Sequence, residues 1–196
     1  MPPISKEAIL MAALMMLVVV WAQSPAAFPD MSAEMVSSAN GHQNVGHFYT
    51  SKGKVRVESS RGSVMIFDSA NRTGWLLNPR QRTAMDMSSQ MKGAGHEVNP
   101  MMPQGPVDPN NPCAASPGST CKKLGQENVN GRQTQRWEVK DSDGKTVNLW
   151  IDASLRLAVK TQTDYYTGEF RNIKEGPQPS GLFEVPTDYR KMPAKR

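Results

Sequence analysis

The 196-residue chain has only two cysteines and three histidines, and beyond its first two dozen residues it has no long apolar run. Each shortage excludes something. Two cysteines cannot supply the four ligands of a structural zinc site. Cys113 and Cys121 are also spaced too widely for the C-x-x-C of a thiol oxidoreductase. No later segment approaches the roughly 20 apolar residues a bilayer requires, so the body of the chain is expected to carry no membrane-spanning helix. The G-x-S-x-G nucleophile elbow, the H-E-x-x-H metal motif and the phosphate-cradling G-x-x-x-x-G-K are all missing. His42 and His47 fall near one hairpin and His96 in a loop, while Asp68, Asp86, Asp152 and Asp164 fall at strand ends or on polar faces and read as solvated surface. No catalytic residue, metal ligand or cofactor is assigned, and the chain reads as a non-enzyme.

What is present begins with a leader. Lys6 precedes an apolar run over 8–20, followed by Trp21-Ala22-Gln23. A basic start, a short greasy centre and small residues at the exit are the layout of a secretory signal, with Val20 and Ala22 at the minus-three and minus-one positions. Residues 1–22 are therefore predicted to be a signal peptide and the mature chain to be periplasmic or secreted. In such a compartment an even cysteine count favours a disulfide. Cys113 and Cys121 flank a turn-prone stretch containing Pro117 and Gly118, and a loop staple between them is expected. The net charge is +5, with Arg190, Lys191, Lys195 and Arg196 among the last seven residues. Outside the cytoplasm nucleic acid is not an expected partner, whereas anionic lipid headgroups are compatible with such a tail.

The rest of the chain alternates with period two, the mark of antiparallel strands with one apolar face. Val55 and Val57 oppose Arg56 and Glu58; Thr83, Met85 and Met87 oppose Arg82, Ala84 and Asp86. Trp137 and Val139 form another set, Val147, Leu149 and Ile151 a third, and Leu155, Leu157 and Val159 a fourth. Asn40-Gly41, Lys52-Gly53, Arg61-Gly62, Asn71-Arg72, Asn78-Pro79, Asn130-Gly131 and Asp143-Gly144 punctuate these runs as turns. Roughly ten or eleven strands in a mostly meandering order are expected. The aperiodic stretch 88–120 is rich in Pro, Gly and Asn and reads as an insertion loop. Asp152, at the end of "NLWID", reads as a turn residue at the rim, where Asp hydrogen-bonds neighbouring backbone groups.

Thirteen methionines are the compositional oddity. Met31 and Met35 share a strand face, as do Met85 and Met87. Thioethers suit either a soft metal such as Cu(I) or an adaptable apolar lining. The apolar lining is preferred, because the strand carrying Met85 and Met87 continues an apolar pattern and holds no histidine.

The segment "LWIDASLRLAVKTQTDYYTGEFRNIKEGPQPSGLFEVPTDYRKM", with "GWLLNPRQRTAMDM" and "CKKLGQENVNGRQTQRWEV" before it, resembles the outer-membrane lipoprotein carrier (LolA-like) superfamily. It is most similar to an uncharacterised group of exported bacterial domains within that superfamily. The resemblance covers residues 28–192. It implies a mainly β fold: one curved antiparallel sheet, an incomplete β-barrel, with little helix and a long Pro-rich loop. It also implies a concave apolar face for a hydrophobic guest such as a lipid acyl chain, with a membrane surface or a lipoprotein as a further partner. Strand parity nominates Met35, Val55, Val57, Met85, Met87, Trp137, Leu149, Ile151, Leu157 and Val159 for that face. The alternatives are a structural or interaction protein that binds nothing and a Met-rich copper-binding protein. The chain departs from carrier members in running from the leader into alternation without an opening amphipathic helix.

Overall fold

A computed structural model describes residues 28–89 and 106–193. The expected signal segment, His96 and the middle of the 88–120 loop lie outside the described residues. The chain forms twelve strands in one sheet: β1 (Met31–Ala39), β2 (His42–Ser51), β3 (Lys54–Glu58), β4 (Val64–Asp68), β5 (Thr73–Asn78), β6 (Thr83–Asp86), β7 (Thr120–Val129), β8 (Arg132–Lys140), β9 (Thr146–Asp152), β10 (Leu157–Gln162), β11 (Tyr166–Glu175) and β12 (Arg190–Met192). Two short 3₁₀ turns, Pro112–Ala115 and Ser180–Phe183, precede β7 and β12. The strand order is β12-β6-β5-β4-β3-β2-β1-β11-β10-β9-β8-β7. Thus β1 to β6 meander to one side, β7 restarts at the far edge, and β7 to β11 meander back to pair with β1. β12 returns to the opposite edge and runs parallel to β6. The end strands do not meet, so the barrel is open, as the resemblance implied.

Turn chemistry sets the register. Asn40-Gly41, Lys52-Gly53 and Asn130-Gly131 each hold two successive residues at positive φ, the two-residue turn whose twist matches paired strands. Three further hairpins share a four-residue build. Asp68, Asn78 and Asp152 each accept a hydrogen bond from the backbone N–H three residues on (Asn71, Gln81 and Leu155). Each loop then ends in an arginine in the left-handed region, Arg72, Arg82 and Arg156 at φ 50, 48 and 50. A residue with a Cβ in that region costs about 1 kcal/mol or more relative to an extended one.

The sheet is strongly curled. Asn130 Nδ2, at the tip of the β7–β8 hairpin, donates to the Phe170 carbonyl on β11 at 3.1 Å. In a flat sheet β8 and β11, three strands apart in the order, would lie about 14 Å from each other. The curl closes an inner cluster of Met31, Ala33, Phe48, Val57, Val129, Trp150, Leu155, Leu157, Val159 and Phe170. A second cluster lies on the outer face of β4 to β6: Val64, Ile66, Leu77 and Ala84. It is covered by the segment after β11, through Leu182, Phe183, Val185 and Tyr189. Arg56 Nη1 ties this strap down by donating to the Leu182 carbonyl at 2.8 Å. The expected Cys113–Cys121 disulfide is formed, with Cα atoms 6.0 Å apart.

Three expectations change. The strand count is twelve, because the three-residue β12, which follows a Pro-containing turn, has no alternation to betray it. The face of β6 opposite Met85 is not wet: Ala84 has 0% exposure and belongs to the cluster that Phe183 covers. Asp152 is a turn residue, as expected, but it is buried at 4% exposure and ion-paired rather than solvated at the rim.

Candidate functional site

The pairing register of the first half builds an apolar wall. Ala33 pairs with Phe48, Phe48 with Val57, Val57 with Met65, Met65 with Leu76, Leu76 with Met85, and Met85 with Met192. Directly paired residues project to the same side of a sheet. Seven strands therefore contribute one unbroken apolar row on the inner face. A second row runs beside it from Met31 through Thr50, Val55 and Phe67 to Gly74. Met87 continues that row, its N–H donating to the Gly74 carbonyl at 2.8 Å.

Exposure changes along the wall. Ala33, Phe48 and Val57 are packed shut, whereas Met65, Phe67, Leu76, Met85, Met87 and Met192 are only half-buried. The outer face behind them is closed by the strap, so it is the inner side that stays partly open. Met35 projects to the same side, opposite Gly46 on β2. A Cβ on Gly46 would lie 2.3 Å from the Glu58 carbonyl oxygen, so only glycine allows the end of β3 to pass this close.

Of the residues nominated from parity, Met35, Val55, Val57, Met85 and Met87 lie along this wall. Leu157 and Val159 sit in the closed part of the inner cluster, at 2% and 1% exposure. Trp137 and Leu149 are cross-strand partners, with Thr161 next to Leu149. Ile151 is fully buried but belongs to neither cluster, and Trp150 is the residue of β9 that joins the inner one. Met65, Phe67, Leu76 and Met192 were not nominated. "VMIFD" and "GWLLN" are apolar on both parities, because the strap covers their outer face while their inner face forms the wall, and alternation is then lost.

Polar groups are concentrated at the curled half. Asp152 accepts from Arg132 Nε, from Ser154 Oγ at 2.6 Å and from the Ser154 and Leu155 N–H groups at 2.9 and 3.1 Å. Burial pushes its carboxyl upward, but the bonds from Ser154, Arg132 and Leu155 and the nearby guanidinium outweigh this and hold it below the usual carboxylate range. Arg132 also reaches Glu175 at 2.9 Å. Asn130, Arg132, Phe170, Asn172 and Ile173 border a cavity of about 370 Å³ beside this network. Trp150 lies under two cations, Arg136 at 4.9 Å and Lys160 at 4.6 Å, and donates its indole N–H to Glu127 at 2.6 Å. Each of these carboxylates is committed to a structural partner. Among the described residues no group of three or more His, Cys, Asp or Glu comes together as a metal would need, and no helix is long and apolar enough to cross a membrane.

No family profile and no curated protein sequence matches the chain. Solved structures do match. An uncharacterized conserved protein from Thermus thermophilus is 9% identical, with a TM-score of 0.56, over 84% of this chain and 90% of that one. MucB is 16% identical, with a TM-score of 0.54, over 83% of this chain; the chain spans 59% of MucB's length. A LolA superfamily protein, NE2245 from Nitrosomonas europaea, is 12% identical over 82% of this chain and 91% of that one, at a TM-score of only 0.33. At such identities the likeness concerns the fold alone. That fold, shared with the Thermus protein and MucB, is an open half-barrel made of one curled sheet.

Proposed function

We propose that this is an exported, non-catalytic binding protein that holds a lipid acyl chain or another apolar ligand against the inner wall. The observation that carries the reading is the row from Ala33 to Met192, unbroken by any polar residue and only half-covered from Met65 onward. Apolar surface left in water costs roughly 25 cal/mol per Å², and a contiguous patch of it on a soluble protein marks a binding surface. Methionines at Met65, Met85, Met87 and Met192 suit a guest of variable shape, since an unbranched thioether side chain repacks easily. The carboxylates Asp68, Asp152 and Glu127 are each tied into a turn or an ion pair.

The test is titration with a fluorescent fatty acid. Wild-type protein should bind it saturably. Met85→Asp should weaken binding at least about tenfold with an unchanged circular dichroism spectrum, because a charge facing a bound acyl chain has no partner. Ala84→Asp, one residue away but under Phe183, should instead fail to fold. The reading is lost if wild-type protein shows no saturable binding and its native mass spectrum carries no lipid.

A further inference from the structure

We propose that one rim of the half-barrel is a docking surface for an anionic lipid bilayer, with Lys52, Arg72 and Arg156 as its contact residues. The strand directions place the β2–β3, β4–β5, β7–β8 and β9–β10 turns at one end of the sheet and the β1–β2, β3–β4, β5–β6, β8–β9 and β10–β11 turns at the other. The two ends differ in charge. The turns of the second end mix Arg61, Arg80, Arg82 and Lys145 with Asp141, Asp143 and Asp164. Those of the first end contain Lys52, Arg72 and Arg156 and no acid.

The acids that flank the first rim, among them Asp108 beside Val107, whose N–H donates to the Arg156 carbonyl, are hydrogen-bonded or ion-paired. Asp30 holds the Ser51 hydroxyl and the Lys52 N–H, Asp68 holds Asn71 and Lys54, and Asp152 and Glu175 hold Arg132. Lys52, Arg72 and Arg156 are exposed, and none forms an ion pair with a described residue. Arg82, the arginine of the same hairpin build at the other end, is paired with Asp188 at 3.5 Å.

Backbone conformation bears on the same three residues. All three rim residues lie at positive φ, 52, 50 and 50. Turn positions of this kind favour Gly, Asn or Asp, so folding gains nothing from a long cationic side chain there. A cation fills such a position four times in the sheet; at Arg82 its charge is paired with Asp188, whereas the three at this rim have no ion-pair partner among the described residues.

From their hairpins, Arg72 and Lys52 are separated by two strand spacings and Lys52 and Arg156 by four, about 10 and 19 Å along the curve. A flat or gently curved polyanion could meet all three at once. The lower row of the wall, with Val55 and Phe67, opens beside this rim, so a docked protein would present its apolar face next to the lipid. The rim and the wall nevertheless make separable claims.

The experiment is flotation of the mature protein with vesicles of phosphatidylcholine alone or of phosphatidylcholine with phosphatidylglycerol. Wild-type protein should float with the anionic vesicles only, and added salt should release it. The variant Lys52→Asn/Arg72→Asn/Arg156→Asn should lose affinity on the order of 100-fold, each basic residue near an anionic surface contributing about fivefold. Asn suits these backbone angles, so the variant should fold at least as well as wild type and keep its fatty-acid binding. Arg61→Asn/Arg80→Asn, at the opposite rim, should float like wild type. Equal flotation with neutral vesicles, no flotation of wild type, undiminished flotation of the triple variant or an equal loss in the opposite-rim variant would each overturn the proposal. Loss of fatty-acid binding by wild type would overturn the ligand reading and leave this one standing.

Discussion

The two halves of the sheet hold themselves together by different means. From β4 to β6 both faces are apolar: Met65, Leu76 and Met85 face inward on the open wall, continuing the row that Phe48 and Val57 begin in the closed core, while Val64, Ile66, Leu77 and Ala84 face outward under the strap. From β8 to β11 no such strap lies on the outer face among the described residues, and ion pairs join the inward apolar residues Trp150, Leu157, Val159 and Phe170 in the fastening. There Arg132 bridges Asp152 and Glu175, and Trp150 is held between Arg136, Lys160 and Glu127. The open wall therefore depends on its back. A sheet whose outer face is sealed by Phe183 can leave Met65, Leu76 and Met85 half-exposed on the inner face and still fold.

Removing the seal should have the largest effect. Phe183 is 6% exposed and packs on the outer cluster. Phe183→Ala should cost about 3–5 kcal/mol, the usual range for deleting a buried aromatic ring, read as a lowered denaturant midpoint. A cost under about 1 kcal/mol would mean that the strap is not what stabilises this half.

This asymmetry also decides what could be read from the residues. β3 has one strictly apolar parity, Val55 and Val57, and its strand and inner face are plain in the sequence. β4 and β5 have apolar residues on both parities because the strap, over a hundred residues later, covers one side; Met65, Phe67 and Leu76 were invisible as wall residues for that reason. Asp152 was legible as a turn residue from its place after Ile151. Its burial was not, because Arg132 lies 20 residues before it and Glu175 43 residues after Arg132. The curl that brings those groups together is a tertiary fact with no local signature. The disulfide was legible because both cysteines lie in one short segment.

In the curled half, Asp152→Asn is the corresponding cut. Asparagine keeps an acceptor for the Leu155 N–H and so keeps the turn, but it leaves Arg132 without its buried partner. The expected loss is about 2 kcal/mol at neutral pH, in the range for hydrogen bonds to charged groups. The effect should depend on pH in a defined sense. The folded-state pKa of Asp152 lies below its unfolded value of about 3.9. Its contribution is therefore complete above that value and is lost as pH falls through the depressed folded one. The stability gap between wild type and variant should close on acidification, measured by urea denaturation from pH 7 to pH 3. A gap that stayed constant would assign the loss to packing rather than charge.

The smallest effect is expected at Asp68, whose hairpin has the same build. Its carboxylate accepts from the Asn71 N–H at 3.0 Å and the Asn71 side chain at 2.9 Å. Burial pushes this carboxyl up, and the bonds from Asn71 together with the charge of Lys54 bring it below the usual range. The cation here is Lys54, 3.7 Å away with 40% of its side chain exposed, where Asp152 faces an arginine with 23% exposed. Water screens the former pair, and such pairs contribute little. Asp68→Asn should therefore change stability by less than about 0.5 kcal/mol, since Asn caps the same turn. The pair of variants isolates the ion pair from the hairpin, because the turn is common to both and the half-buried arginine is not. If Asp68→Asn cost as much as Asp152→Asn, the capped hairpin itself would carry the energy, and the polar fastening assigned to the curled half would not distinguish it from the strapped one.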